Sequence, residues 1–204
     1  MSFILNIETA TKNCSVSIAK NGQMIVCSEL ADEGYSHAEK LHVFIEEAIA
    51  KAGITAHDLK AVAVSQGPGS YTGLRIGVSA AKGLCYALNI PLIAVDTLQT
   101  LASQAEVTDG KIIPMLDARR MEVYSAIFNS DLTVERAIQA EIIDENSFQA
   151  YTDKLYFVGD CADKCKPVLT KENFVFLENV KYPSAKAMSK ISFDKYQKRD
   201  TEDV

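Results

Sequence analysis

The sequence predicts an α/β fold built on a mixed sheet, and three features of its first half carry that prediction. Short apolar runs at Phe3–Glu8, Cys14–Ala19 and Gln23–Leu30 lie close together, the last two joined by Asn21-Gly22. Asn-Gly supplies the two positive-φ positions of a tight hairpin. Apolar residues at Leu41, Phe44, Ile45, Ala48, Ile49 and Ala52 then repeat at helical spacing. From there strand-like and helix-like runs alternate, giving the order β-β-β-α-β-α-β-α. A meander followed by right-handed βα crossovers makes a mixed sheet with helices packed on it.

Taken in order, Phe3–Glu8 is apolar enough for a buried strand, and Cys14–Ala19 alternates as a half-buried one. The first helix opens at Ser36 to Glu39, which fits the Ser-x-x-Glu capping box, and ends at Gly53. Leu59–Val64 is the next strand. Ser65-Gln66-Gly67-Pro68-Gly69-Ser70-Tyr71-Thr72-Gly73 follows, a tight turn at Gly67, Pro68 and Gly69 that leads into a helix from Thr72 to Leu88. Pro91–Val95 is a strand and Thr97–Ala105 a short helix. Thr108-Asp109-Gly110 reads as a boundary. Beyond it, strands are expected at Ile112–Leu116, Glu122–Phe128, Ala137–Ile143, Leu155–Val158 and Phe174–Leu177, with a helix starting at Ser184. The expected division is a first lobe over residues 1–107, a smaller one over 108–193, and a charged tail without core over 194–204.

Bulk properties narrow the function classes. A chain of 204 residues with 48% hydrophobic content can bury a real core. A net charge of −6 without a Lys/Arg block argues against tight nucleic-acid binding by this chain alone. The five cysteines are odd in number and sit in apolar patterns, which reads as reduced thiols in a cytoplasmic protein. The N-terminus enters a strand without a basic leader, and no apolar run is long enough to span a bilayer.

The glycine turn has three readings: a phosphate cradle, a packing device, or part of a protein interface. A P-loop would need Gly-Lys-[Ser/Thr], and here Arg75 is the nearby cation. Gly73, Gly77 and Ala81 lie four apart on one helix face. Glycine inside a helix costs roughly 1 kcal/mol against alanine, and close approach of another backbone offsets it. That neighbour is either the chain's own sheet or a partner's helix. His37 and His42 are spaced by five, which sets them about 140° apart around a helix axis and splits them as ligands of one ion. Cys161-x-x-x-Cys165 lacks a second ligand pair. Glu8, Asp96 and Asp117 stand at strand ends, where carboxylates hold Mg²⁺, act as bases or cap the next element. Gly-x-Ser-x-Gly is absent.

Ile4-Leu5-Asn6-Ile7-Glu8-Thr9-Ala10, Ser36-His37-Ala38-Glu39, Gln66 through Gly77, and Met115-Leu116-Asp117-Ala118-Arg119-Arg120 together resemble the TsaB (YeaZ) family. The resemblance covers the first 130 residues and thins through Phe157-Val158-Gly159-Asp160 and Pro183-Ser184-Ala185. It implies an actin-like ATPase-superfamily fold of two lobes, each on a ribonuclease-H-like sheet. It also implies a non-catalytic subunit needed for threonylcarbamoyl transfer to adenosine 37 of tRNA. Such a subunit binds the catalytic paralogue TsaD as a heterodimer, has TsaE as a third component, and forms a homodimer when alone. Contact with tRNA is expected at most through the complex, and no membrane contact is expected. Catalytic paralogues carry His-x-x-x-His, whereas here Leu41 stands four after His37. ATP-binding members carry a glycine in each phosphate loop, whereas here the loops read Glu8-Thr9-Ala10-Thr11 and Asp117-Ala118-Arg119-Arg120. Catalytic, metal and cofactor residues are therefore expected to be absent. Family members continue past a point like Val204, so a final segment is expected beyond it.

The expected interface is the helix pair Ser36–Ala52 and Thr72–Leu88, through Ser36, His37, Leu41, Phe44, Ile45, Thr72, Gly73, Arg75, Ile76, Gly77 and Ala80. Two other expectations compete with it. One is a metallopeptidase-like or ATPase enzyme of the same superfamily; the other is a standalone homodimeric binding module.

Overall fold

Asn21 and Gly22 both take left-handed backbone, with φ of 50° and 82°, and close the hairpin the sequence predicts there. The structure, a computed structural model, describes residues 1–31 and 37–204. The Ser36–Glu39 capping box and the interface residue Ser36 therefore lie outside the described residues. The chain forms two compact units, residues 1–100 with 183–204, and residues 101–182.

The first unit holds a sheet of five strands, β1 (Phe3–Glu8), β2 (Asn13–Lys20), β3 (Gln23–Ala31), β4 (Leu59–Gly67) and β5 (Leu92–Asp96), in the order β3-β2-β1-β4-β5. The meander β1–β3 is antiparallel, and β1, β4 and β5 are parallel to one another. Side chains alternate across the sheet. Leu5, Ile7, Val62 and Val64 face the helices α1 (His37–Lys51) and α2 (Tyr71–Leu88), meeting Leu41, Ile45, Ala81 and Cys85. Ile4, Ala61, Ala63, Ile93 and Val95 face the other way, against Ala185 and Met188 of a helix near the end of the chain.

That last helix, Ala185–Lys198, departs from the expected division. It belongs to the first unit rather than to the second lobe, and the stretch 194–204 is not a free tail. Ala185, Met188, Ser189 and Ser192 form its buried stripe. Its first turn is fixed by strand hydroxyls: the Ala185 amide donates to Ser15 Oγ at 2.7 Å, and Ser17 Oγ donates to the Ala185 carbonyl at 2.8 Å. Beyond the helix, the Glu202 amide donates to the Leu92 carbonyl at 2.9 Å on the edge of β5.

The second unit is entered through α3 (Thr97–Ala102) and holds β6 (Lys111–Asp117), β7 (Glu122–Asn129), β8 (Val134–Ile142), β9 (Leu155–Val158) and β10 (Phe174–Phe176), ordered β10-β9-β6-β7-β8. A short helix, α4 (Ala162–Cys165), follows β9, so the final helix is α5. Phe157 centres the core, stacked on Phe176 at 5.0 Å and edge-on to Phe148 and Phe174 at 5.5 and 5.3 Å. β8 is an edge strand with mostly exposed side chains, and it starts three residues before the expected Ala137. Each unit is a mixed sheet with helices, as the ribonuclease-H-like expectation requires.

Candidate functional site

β1 ends at Glu8, which has no solvent exposure. Ser65, on the neighbouring β4, donates its hydroxyl to Glu8 Oε2, and the Ala10 amide donates to Oε1 at 2.6 Å. Burial pushes the Glu8 carboxyl from its ordinary 4.5 up to about 7, against the opposing pull of the Ser65 hydroxyl and the Ala10 and Thr9 amides. The three residues after Glu8 are tied to the helices. Thr9 Oγ1 donates to the Gly73 carbonyl at 2.8 Å, and the Ser70 amide donates to the Ala10 carbonyl at 2.7 Å. His37 Nε2 lies 2.7 Å from the Thr11 carbonyl, which places a proton on that nitrogen. A phosphate cradle needs free amides aimed at the anion. Here the amides of Thr9 and Ala10 are committed to Glu8.

The loop in the second unit is committed in the same way. The Asp117 amide donates to Asp160 Oδ1 at 3.2 Å, the Arg119 amide to Asp117 Oδ1 at 2.8 Å, and the Ala118 amide to the Glu122 carbonyl at 3.1 Å. The Lys164 ammonium reaches Asp117, and the carbonyls of Arg120 and Glu122 at 2.7 and 3.0 Å. Partial burial opposes it, but the Lys164 ammonium and the Arg119 amide hold the Asp117 carboxyl below the usual carboxylate range. Asp96, in the first unit, accepts from Gln66 Nε2 at 2.6 Å. Cys161 and Cys165 are both buried free thiols. Among the described residues no group of three or more His, Cys, Asp or Glu is placed to hold a metal ion. None of the described helices is long and apolar enough to cross a membrane.

The turn before α2 places Gly67 at φ 112° and joins it to Pro68 by a cis peptide bond. Ser70 then caps the helix, accepting from the Gly73 amide at 3.2 Å. The glycine face of α2 turns inward. A Cβ on Gly73 would stand 2.1 Å from the Thr9 carbonyl oxygen, and one on Gly77 would stand 2.3 Å from Thr9 Oγ1. The close neighbour that these glycines admit is therefore the chain's own β1 and the loop after it. This corrects part of the expected interface. Gly73 and Gly77 are interior, Leu41 and Ile45 are core residues, and His37 is 2% exposed. Phe44 is half-buried against the same core.

Beside that core, α1 and α2 bound an open groove of about 700 Å³. Four residues of the expected interface, Thr72, Arg75, Ile76 and Ala80, line it together with Ala38, His42, Tyr71, Ser79, Gly83 and Leu84. A smaller hollow of about 290 Å³ lies where the two helices begin, bounded by His37, Ser70, Thr72, Gly73 and Ile76. Tyr71 is 68% exposed, and the Arg75 guanidinium stacks on its ring at 4.0 Å. Ala38, Ile76, Ala80, Gly83 and Leu84 are the apolar part of the groove lining. His42, one half of the sequence's histidine pair, is exposed on the α1 wall. Ala38, Tyr71, Ser79, Gly83 and Leu84 were not expected from sequence. For Tyr71, Ser79 and Gly83 the signal is positional, since they lie on the side of α2 away from Gly73 and Gly77; Ala38 and Leu84 fall close to the buried stripes and carry no such signal.

A family model described as "TsaD: tRNA N6-adenosine threonylcarbamoyltransferase" matches residues 29–191. The chain is 32% identical over 200 residues to a protein of Escherichia coli named tRNA threonylcarbamoyladenosine biosynthesis protein TsaB, an alignment spanning 93% of this chain and 85% of that one. It is 39% identical over 108 residues to the tRNA N6-adenosine threonylcarbamoyltransferase of Bacillus subtilis, spanning 46% of this chain and 31% of that one. Among solved structures, YeaZ from Pseudomonas aeruginosa superposes with a TM-score of 0.88 at 21% identity, covering 100% of this chain and 96% of the other. That likeness shows the fold.

Proposed function

The chain belongs to the TsaB family, and from that premise we propose that it is a non-catalytic subunit in the making of threonylcarbamoyladenosine in tRNA. In this reading it binds and activates a TsaD-type transferase through the groove between α1 and α2. The same groove seats a second copy of the chain when the transferase is absent, TsaE joins as a third component, and tRNA is met through the assembled complex. One observation carries the reading. Both helices bury one stripe in their own core and leave the other as an open, small-residue groove flanked by Tyr71 and Arg75, which is the character of a helix-packing interface. The committed amides of Thr9 and Ala10, and of Asp117, Ala118 and Arg119, support a role without nucleotide chemistry.

The test is reconstitution of threonylcarbamoyl transfer with and without this chain, alongside an ATP titration and a metal assay on the chain alone. Transfer that depends on the chain, together with loss of transferase binding in groove variants, supports the reading. ATP turnover or stoichiometric metal in the isolated chain would favour an enzyme of the same superfamily instead.

A further inference from the structure

The acidic balance of the chain is not evenly spread. Residues 185–199 hold five of its 21 lysines and arginines but one of its 27 acids, so this stretch carries +4 while the rest carries −10. The stretch is α5 and the residue that ends it. Ala185, Met188, Ser189 and Ser192 are the side of α5 that meets the sheet. Lys186, Lys190 and Lys198 lie on the opposite side, all exposed, and Arg199 is exposed just past the last turn. Lys186 and Lys190 stand one turn apart and Lys198 about two turns further, a row about 18 Å long. We propose that Lys186, Lys190, Lys198 and Arg199 form a phosphate-contacting face, and that in the assembled complex it holds the sugar–phosphate backbone of the tRNA. The choice of tRNA rests on the family reading above; the polyanion-binding face itself does not.

The acids beside the row hold it loosely. Lys190 meets Asp194 at 2.7 Å and Lys186 lies 3.7 Å from Glu29. Both pairs are solvent-exposed, and pairs of that kind contribute little and exchange readily for a phosphate. Glu29 is also engaged by the Ser184 hydroxyl, which donates to it at 2.5 Å. Asp200 is taken by Lys195 at 2.7 Å, and the Glu202 amide carries the chain on to the edge of β5. Lys198 and Arg199 make no ion pair among the described residues. The character of the face selects its occupant. Interfaces between proteins turn on aromatic or apolar anchors and are depleted in lysine. The outer side of α5 presents Lys186, Ala187, Lys190, Asp194, Gln197 and Lys198, with no large apolar side chain among them. A lipid surface would need the apolar side of the helix, and Ala185, Met188, Ile191, Phe193 and Tyr196 are packed against the sheet. A row of point charges spanning several phosphates fits a nucleic-acid backbone, where such contacts position the strand without reading its sequence. The −10 carried elsewhere keeps the chain alone from binding RNA tightly and leaves this face as one contact among those of the complex.

The test uses the complex of this chain with the TsaD-type transferase and TsaE, and an unmodified tRNA transcript as the probe. Lys186→Gln, Lys190→Gln and Lys198→Gln are combined in one variant, whose Tm should match the native value because all three side chains are exposed. With one phosphate lost per lysine, the slope of log affinity against log salt should become shallower by about 2–3. Affinity for the tRNA near 0.1 M salt should fall by about tenfold or more, while calorimetric affinity for the transferase stays level. The matching Lys→Arg triple variant, which keeps the charges, should retain the native slope. An unchanged slope in the glutamine variant makes the row an ordinary solvated face and overturns the proposal. A loss that falls on transferase or TsaE binding instead assigns the face to an acidic protein surface and overturns it equally. If the transferase does not bind the native chain, the groove reading fails, and the face is decided on the chain alone. Backbone amide shifts of residues 185–199 are then followed during a tRNA titration at about 20 mM salt, where screening is weak. Shifts gathered on α5 that vanish in the glutamine variant sustain the face, and their absence overturns it.

Discussion

Replacing Gly73 by alanine tests which way the small face of α2 points. Two opposed effects set the outcome. Alanine is the better helix former by about 1 kcal/mol. Against that, the added Cβ would stand 2.1 Å from the Thr9 carbonyl oxygen, a backbone atom that cannot rotate aside. Forced overpacking of this kind costs about 1–3 kcal/mol. Displacing α2 also endangers the buried bond from Thr9 Oγ1 to the Gly73 carbonyl, worth about 1 kcal/mol. The balance is a net destabilisation of about 1–3 kcal/mol. Gly77→Ala should cost less, because the atom it meets is Thr9 Oγ1, the end of a rotatable side chain. Gly83, with nothing within 4 Å of its would-be Cβ, is the internal control, and its alanine variant should gain about 1 kcal/mol. The expected order of stability is Gly83→Ala, native, Gly77→Ala, Gly73→Ala. A spread of about 3 kcal/mol between the ends corresponds to roughly 6–12 °C in Tm for a chain of this size. Thermal unfolding followed by far-ultraviolet circular dichroism reads it directly. A Gly73→Ala protein as stable as the native one would refute the reasoning, and would return the glycine stripe to the partner-facing surface.

Glu8 folds with a carboxyl above its ordinary value, so its contribution to stability is present in full below about 4.5 and is lost as pH rises to about 7; the loss is roughly 3 kcal/mol. Urea titrations at pH 5 and pH 8 should show that difference in the native protein and a much smaller one in Glu8→Gln. Met188→Ala should cost roughly 2–5 kcal/mol, because Met188 is fully buried against the first sheet; a neutral result would mean that α5 is dispensable. Arg75→Glu should leave Tm nearly unchanged, since the side chain is exposed, but should weaken transferase binding by about tenfold or more in a calorimetric titration. The five free cysteines, four of them buried, should resist iodoacetamide at neutral pH in the folded protein and react together in denaturant, as mass spectrometry would show.

The topology of the first sheet was legible because each of its joints carries a local signature. Asn21-Gly22 dictates its own hairpin, Gly53 stops α1, and Gly67-Pro68-Gly69 turns β4 into α2, so neighbours in sequence settle neighbours in space. The place of α5 was not legible. Its buried stripe is half serine, Ser189 and Ser192 beside Ala185 and Met188, and a serine-rich stripe reads as a solvated face. What seats the helix lies far off in sequence: hydroxyls on β2, some 170 residues earlier in the chain, take up the amide and carbonyl of Ala185, while Ser192 donates within its own helix to the Ser189 carbonyl at 3.3 Å. The interface shows the same limit. Periodicity finds two faces on each helix but does not say which one meets the sheet. For Gly73 and Gly77 the deciding atoms belong to Thr9, 64 residues before Gly73.

On the proposed reading, that division of faces lets one helix meet two demands at once. Along α2, Gly73, Gly77, Ala81 and Cys85 are buried, while Thr72, Arg75, Ser79 and Gly83 line the groove. The inner stripe is small so that the helix can lie on Thr9, and that contact closes the loop after β1 and engages its hydrogen-bonding groups. The outer stripe carries Ser79 and Gly83, and on the proposed reading these let a partner come near. A change to the inner stripe therefore alters the groove by moving the whole helix, and loss of binding in such a variant carries no information about contact. Substitutions at Ala38, Arg75, Ser79 or Gly83 separate the two effects, because their side chains meet the groove and leave the seat on Thr9 untouched. If those four can be enlarged or charged without loss of transferase binding, the groove is not the interface, whatever Gly77 variants do.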